Sequence, residues 1–288
     1  MNRKLTWLAS YPKSGNTWTR LFLAAYRSVN LSDLKLEHVS WLTHSESRFE
    51  QFEAVSGKKR EDLTEREINS LRRAVQKRLA SQFPQGAFIK THNARMRFHG
   101  FPLIHREFTN SAVYLVRNPL DVLDSMVDHN GCNVDQMIKW MNDPAYRLGI
   151  SQGLATQYLD TWSTHVRSWT TNQAFPVLIL RYEDLKARPI DTFRSLLQFL
   201  NWDVYEDKLK DSVEACHFQR VQQMESENGF NEISPQSQSG TFFRRGQSGS
   251  WMTVLTREQA ETVLSHHSET MHLVGYKMPD LDRVYAKA

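Results

Sequence analysis

The sequence predicts an α/β fold, a central parallel sheet flanked by helices on both faces with a phosphate-binding turn after the first strand. Three observations carry this. Short apolar runs with β-branched character alternate with amphipathic helical stretches, the pattern of strand–helix–strand crossovers. The chain has 288 residues, 40% hydrophobic and 24% charged, enough for one large domain over 1–288 with no second domain required. The stretch SYPKSGNTW, 10–18, sets a lysine, hydroxyls and a glycine in one tight turn between the first strand and the first helix.

In chain order, strands are predicted at 5–10 (LTWLAS), 87–92 (AFIKTH), 111–118 (SAVYLVRN) and 175–185 (FPVLILRYEDL). Helices are predicted at 15–28, 64–81, 120–129, 152–171, 190–200 and 256–271. Leu154, Tyr158, Trp162, Val166 and Trp169 recur at helical spacing and read as a core stripe. Residues 36–84 are polar and helical in character, an expected insertion over one edge of the sheet. Residues 225–240, rich in Ser, Gln, Asn and Gly, are expected to form a mobile loop.

Composition excludes several classes. The opening MNRKLTWLAS has no apolar run long enough for a signal peptide, and no segment approaches a membrane-spanning length. Cys132 and Cys216 stand far apart, which argues against a disulfide framework and fits a reducing cytoplasm. A formal net charge of +4 suits an anionic ligand and is too scattered to indicate nucleic acid.

The turn at 10–18 has the chemistry of an anion site. Unpaired N–H groups gather at a helix N-terminus, Gly15 permits close backbone approach, and Lys13, Ser14 and Thr17 add donors. A capped helix start with a solvated lysine is the plain alternative for this turn taken alone. Four other stretches end strands, where ligands bind in open α/β sheets. FIKTH delivers Lys90 and His92, VYLVRNPLDVLDS delivers Arg117 and Ser125, LRYEDL delivers Tyr182, and FFRRGQSGSW sets Arg244 and Arg245 beside Gly246.

As a set, these motifs resemble those of the sulfotransferases that use 3'-phosphoadenosine 5'-phosphosulfate (PAPS), the family that includes the cytosolic phenol and alcohol sulfotransferases. YPKSGNTW is similar to the family's 5'-phosphosulfate loop, which is P-loop-like, and VRNPLDVLDS resembles its 3'-phosphate segment. KTH matches the lysine and catalytic histidine, RYEDL the adenine-side tyrosine segment, and FFRRGQSGSW the Arg-basic-Gly clamp. The likeness runs from Thr6 to about Tyr276. It implies in-line transfer of a sulfuryl group to a hydroxyl or, less often, an amine of a small-molecule acceptor, without metal.

By this resemblance His92 would be the general base, and Lys13 and Lys90 would stabilise charge in the transition state. Ser14, Gly15, Asn16 and Thr17 would bind the 5'-phosphate. Arg117, Ser125, Arg244, Arg245 and Gly246 would hold the 3'-phosphate. Trp18, Tyr182 and Phe218, the last through its match in CHFQRV, would surround the adenine. Asn16 stands where many members have threonine, and its amide still donates. Cys216 falls outside the site. MTVLTREQAE lacks the leading lysine of the family's dimerisation signature, which leaves the oligomeric state open.

Each residue also has a structural reading: His92 as a hydrogen-bonded strand end, Arg117 as a cap, Arg244 and Arg245 as a solvated pair, Tyr182 and Trp18 as core aromatics. His129 with Cys132, and His266 with His267, lack partners at zinc-ligand spacing. Two rival functions stay open here. A nucleotide-dependent phosphotransferase also joins a strand to a helix through a phosphate loop, although G-x-x-x-x-G-K-[ST] is absent; an inactive nucleotide-binding module would not need both Lys13 and His92.

Overall fold

The computed structural model describes residues 4–150, 153–171 and 174–286. Five strands form the main sheet: β1 Leu5–Ser10, β2 Thr43–Ser45, β3 Ala87–Thr91, β4 Thr109–Val116 and β5 Val177–Arg181. Helices of six residues or longer among the described residues are α1 Asn16–Arg27, α2 Phe49–Ser56, α3 Glu65–Gln82, α4 Pro119–Asn130, α5 Val134–Met141, α6 Trp162–Thr170, α7 Tyr182–Ala187, α8 Pro189–Phe199, α9 Glu206–Ala215, α10 Phe218–Asn228 and α11 Arg257–Leu273. The chain divides into two compact units. The first holds Met1–Tyr11, Thr43–Leu115 and Asp143–Ile179, and the second holds Pro12–Leu42, Val116–Asn142 and Leu180–Ala288.

The sheet runs β2-β3-β1-β4-β5. β1 lies at its centre and pairs in parallel with both β3 and β4, and β2 pairs in parallel with β3. Trp7 is opposite Ala112 and Ala9 opposite Tyr114, so Trp7 and Tyr114 share one face. Trp169 of α6 covers that face, its ring centroid 6.5 Å from that of Trp7 and 6.2 Å from that of Tyr114. Leu8 and Val113, which alternate to the opposite face, are also buried, as parallel strands require.

Local signals fix the helix starts. Thr64 with Glu67 and Thr256 with Gln259 form capping boxes on α3 and α11. Asn118 caps α4 ahead of Pro119 at its first position.

Two predicted elements change. The strand expected at 175–185 ends at Arg181, and α7 begins at Tyr182. Asp184 pairs with Arg181 at 2.7 Å and Arg188 at 3.2 Å, at helical spacings, and Glu183 and Asp184 fall in the favoured first turn. The helix expected over 152–171, whose start at residue 152 lies outside the described residues, begins only at Trp162, capped by Thr161. Tyr158 is held extended instead: its N–H donates to Asn93 Oδ1 at 2.8 Å, and its carbonyl accepts from Ala94 N at 2.8 Å. Trp162, Val166 and Trp169 of the predicted stripe are buried on α6. Within 36–84, β2 adds an edge strand to the sheet. The loop expected to be mobile begins as the end of α10 and is then tied to α4: Asp128 accepts from Gln238 N and Ser239 N, both at 3.0 Å.

Candidate active site

The phosphate-loop candidate follows β1. Lys13 has φ 63° and Gly15 φ 95°, both left-handed. A side chain at Gly15 would put its Cβ 2.9 Å from Tyr182 Cδ2, so only glycine fits the turn against that ring. α1 starts at Asn16 with no side-chain cap from Gly15 and no acidic residue in its first turn, so its positive dipole end is not offset by a charge of its own first turn. Ser14 is fully buried, and its Oγ has no hydrogen-bond partner among the described residues. A buried hydroxyl in that state carries a desolvation cost that an anionic ligand would relieve.

Thr17 is already engaged. Its hydroxyl donates to Glu232 Oε2 at 3.1 Å, while Arg20 Nη2 donates to both Glu232 oxygens at 2.8 and 2.7 Å and to Thr17 Oγ1 at 3.0 Å. Lys13 Nζ stands 3.8 Å from the centroid of the Phe242 ring. Burial lowers the Lys13 pKa to about 8; Asp128 opposes the shift and Arg117 adds to it.

Arg117, directly after β4, ties the loop to its neighbours. Nη1 donates to the Lys13 carbonyl at 3.1 Å, Nη2 donates to the Gln247 carbonyl at 2.9 Å, and Nε is buried with no partner among the described residues. The guanidinium lies 4.5 Å over the Tyr182 ring. α4 supplies the half-buried Ser125 and, beside it, Asp124, which pairs with Arg244 at 2.8 Å and Arg245 at 3.1 Å. Gly246 has φ 58°, and a Cβ there would be 2.2 Å from two carbons of the Phe218 ring. Trp18 meets Tyr182 edge-on at 6.1 Å. The Lys186 ammonium lies 5.8 Å from the Trp18 ring and 5.6 Å from the Phe218 ring, and burial lowers its pKa.

Two linked clusters emerge within the second unit. One joins Lys13, Ser14, Gly15, Asn16, Thr17, Arg117 and Tyr182, with Trp18 beside Tyr182. The other joins Arg244 and Arg245 to α4 near Ser125, with Gly246 closed against Phe218. Three members were not anticipated. Lys186 follows Tyr182 by four residues, one helical turn, a signal hidden by reading that stretch as strand. Asp124 precedes Ser125 directly. Glu232 is 212 residues from Arg20, a separation that no local pattern spans.

Lys90 and His92 belong to the first unit. Lys90 is the penultimate residue of β3 and half-buried. His92 Nδ1 lies 2.8 Å from the Ser10 carbonyl and 3.3 Å from Ser10 Oγ, and its N–H donates to Gln157 Oε1 at 3.1 Å. A carbonyl oxygen only accepts, so Nδ1 carries the proton and the lone pair is on Nε2. That tautomer can accept a proton from a hydroxyl.

Comparison with known proteins bears on the whole chain. Residues 3–275 match the family model of the sulfotransferase domain. The rat sulfotransferase 1A1 is 26% identical over 180 residues, which cover 57% of this chain and 57% of that protein's length. Cytosolic sulfotransferase 8 of Arabidopsis thaliana is 25% identical over 291 residues, covering 94% of this chain and 78% of the relative. A crystal structure of a mouse sulfotransferase complexed with PAP aligns with a TM-score of 0.59 at 17% identity, over 100% of this chain and 89% of that one.

Proposed function

For a chain that belongs to the sulfotransferase family, we propose that it moves the sulfuryl group of PAPS to the hydroxyl, less often the amine, of a small-molecule acceptor, with residues 1–288 acting as one domain. The observation that carries this reading is the phosphate loop itself: an α1 start without a side-chain cap, a buried Ser14 Oγ with no partner among the described residues, and a left-handed turn at Lys13 and Gly15. The donor set fits the nucleotide, since it is cationic, rich in N–H and O–H groups, and closed by aromatic rings.

PAPS supplies an activated sulfuryl group on a phosphate leaving group. Ser14, Gly15, Asn16 and Thr17 bind the 5'-phosphate, and Lys13 and Lys90 stabilise the charge that grows on it. Arg117, Ser125, Arg244, Arg245 and Gly246 hold the 3'-phosphate, with charge-assisted bonds from the three arginines. Trp18, Tyr182 and Phe218 enclose the adenine, joined by the cation of Lys186. His92 takes the acceptor proton on Nε2 while Ser10 holds Nδ1–H. A cytoplasmic setting fits two free cysteines, Cys132 and Cys216. Among the described residues no helix is long and apolar enough to cross a membrane.

The test incubates the protein with labelled PAPS and a library of hydroxyl and amine compounds and reads product by the mass gain of one sulfuryl group. A hydroxyl product supports the reading. A product on amines alone supports sulfuryl transfer and moves the acceptor class to amines; no mass gain across the library, while ATP with magnesium phosphorylates a compound, overturns it.

A further inference from the structure

His92 ends a hydrogen-bond chain that begins at the fully buried Tyr114. The Tyr114 hydroxyl is 2.8 Å from His165 Nδ1, and His165 Nε2 is 3.0 Å from the His92 carbonyl. The direction is forced from that last link. A carbonyl oxygen cannot donate, so His165 Nε2 carries the proton, Nδ1 must accept, and Tyr114 must give its proton to it. His165 and His92 are therefore held in opposite tautomers.

Packing alone does not call for a histidine at this position. His165 is fully buried on α6 beside Trp162, Val166 and Trp169, where an aliphatic side chain would fill the space without two polar nitrogens to satisfy. Both nitrogens are satisfied, and burial lowers the His165 pKa to about 4, so the ring stays neutral. The Tyr11 ring meets the His165 ring edge-on at 5.3 Å, a contact from the phosphate-loop motif to the same histidine.

We propose that His165 is a positioning residue for His92: by fixing the His92 carbonyl just past the end of β3, it keeps the His92 ring on the Ser10 carbonyl, with Nδ1 protonated and Nε2 basic. Its catalytic meaning rests on the reading of His92 as the base. The positioning itself can be measured without turnover.

The experiment records long-range proton–nitrogen spectra of the full chain labelled with ¹⁵N-histidine, at a pH where imidazoles are neutral. The wild type should show His92 in a single Nδ1–H tautomer. His165→Leu should move the two His92 nitrogen shifts toward a tautomer average, and Tyr114→Phe, which removes one hydroxyl and no packing volume, should do so in part. His165→Gln should restore the wild-type pattern, because its amide nitrogen can reach the place of Nε2. The thermal shift given by 3'-phosphoadenosine 5'-phosphate (PAP) should be unchanged in all three variants, an outcome that a general loosening of the fold would not produce. With an acceptor from the PAPS screen, kcat should fall roughly tenfold to a hundredfold in His165→Leu. In a His92→Ala background the same change should cost nothing further. A single unchanged His92 tautomer in His165→Leu, or additive losses in the double variant, overturns the proposal. If His92→Ala turns over at the wild-type rate, the base reading fails instead, and the spectrum alone decides whether His165 positions His92.

Discussion

Two side chains of the proposed site make distinct demands on experiment. His92, held by Ser10 through Nδ1, should be dispensable for nucleotide binding and not for turnover. His92→Ala is expected to lower kcat about a hundredfold or more with PAP affinity unchanged, read by steady-state kinetics beside calorimetry. Lys13, with a pKa of about 8, is about half neutral at pH 8 in the nucleotide-free protein. A bound phosphate favours the ammonium and raises that pKa, so PAP binding near pH 8 should take up protons. The uptake should vanish well below pH 8, where Lys13 is already charged, and it should be absent in Lys13→Met. Calorimetry in two buffers of different ionisation enthalpy reads it directly, and equal enthalpies near pH 8 would rule it out.

At the level of elements, α4 organises the clamp. Its Asp121 accepts from Gly249 N at 2.8 Å, and its Asp124 gathers Arg244, Arg245 and Ser250 Oγ, the last at 2.9 Å. One carboxylate, Asp124, thus orients both arginines of the proposed clamp. Arg117 differs, since its partners are neutral carbonyls and its Nε has none among the described residues. Arg117→Ala should therefore erase most of the preference for PAP over AMP in a thermal-shift panel while leaving the smaller AMP shift in place. A preference that survives in the variant would place the 3'-phosphate elsewhere.

Element boundaries also show what the sequence could convey. β1 and the helices at 16–27, 65–82, 119–130, 189–199 and 257–273 were legible because their caps and periodicities are local. β2 was not legible, because a three-residue edge strand takes its identity from β3 beside it. α9 and α10 were missed as well: both carry long polar faces. The start of α6 was misplaced because Tyr158 continues the helical apolar spacing while Asn93 and Ala94, distant in sequence, hold it extended.

Across the whole molecule, the residues proposed for the site come from short stretches, YPKSGNTW, KTH and RRG, whose residue types can be read locally. Partners that meet only through tertiary folding were not legible: Glu232 on Arg20, His165 on His92, and Lys186 between two rings that lie 200 residues apart in the chain.

The turn at Lys13 also sets function against stability. A lysine with φ 63° occupies a backbone region that suits glycine, at a cost of about 1–2 kcal/mol. Its lowered pKa adds to that cost in a known direction. The unfolded chain, with lysine near 10.5, binds more protons than the folded one between about pH 8 and 10.5, so the penalty is full below pH 8 and fades as pH rises through that window. The nucleotide-free protein is therefore expected to be less stable than the same chain with glycine at position 13. Lys13→Gly should raise the melting temperature by a few degrees near neutral pH and gain less at high pH, while Lys13→Ala, which keeps the backbone strain, should gain less than Lys13→Gly at every pH. A melting temperature that falls in Lys13→Gly would mean that the Phe242 contact outweighs both costs. A charged side chain in a turn whose backbone would relax around glycine is what the transition-state role proposed for Lys13 would require.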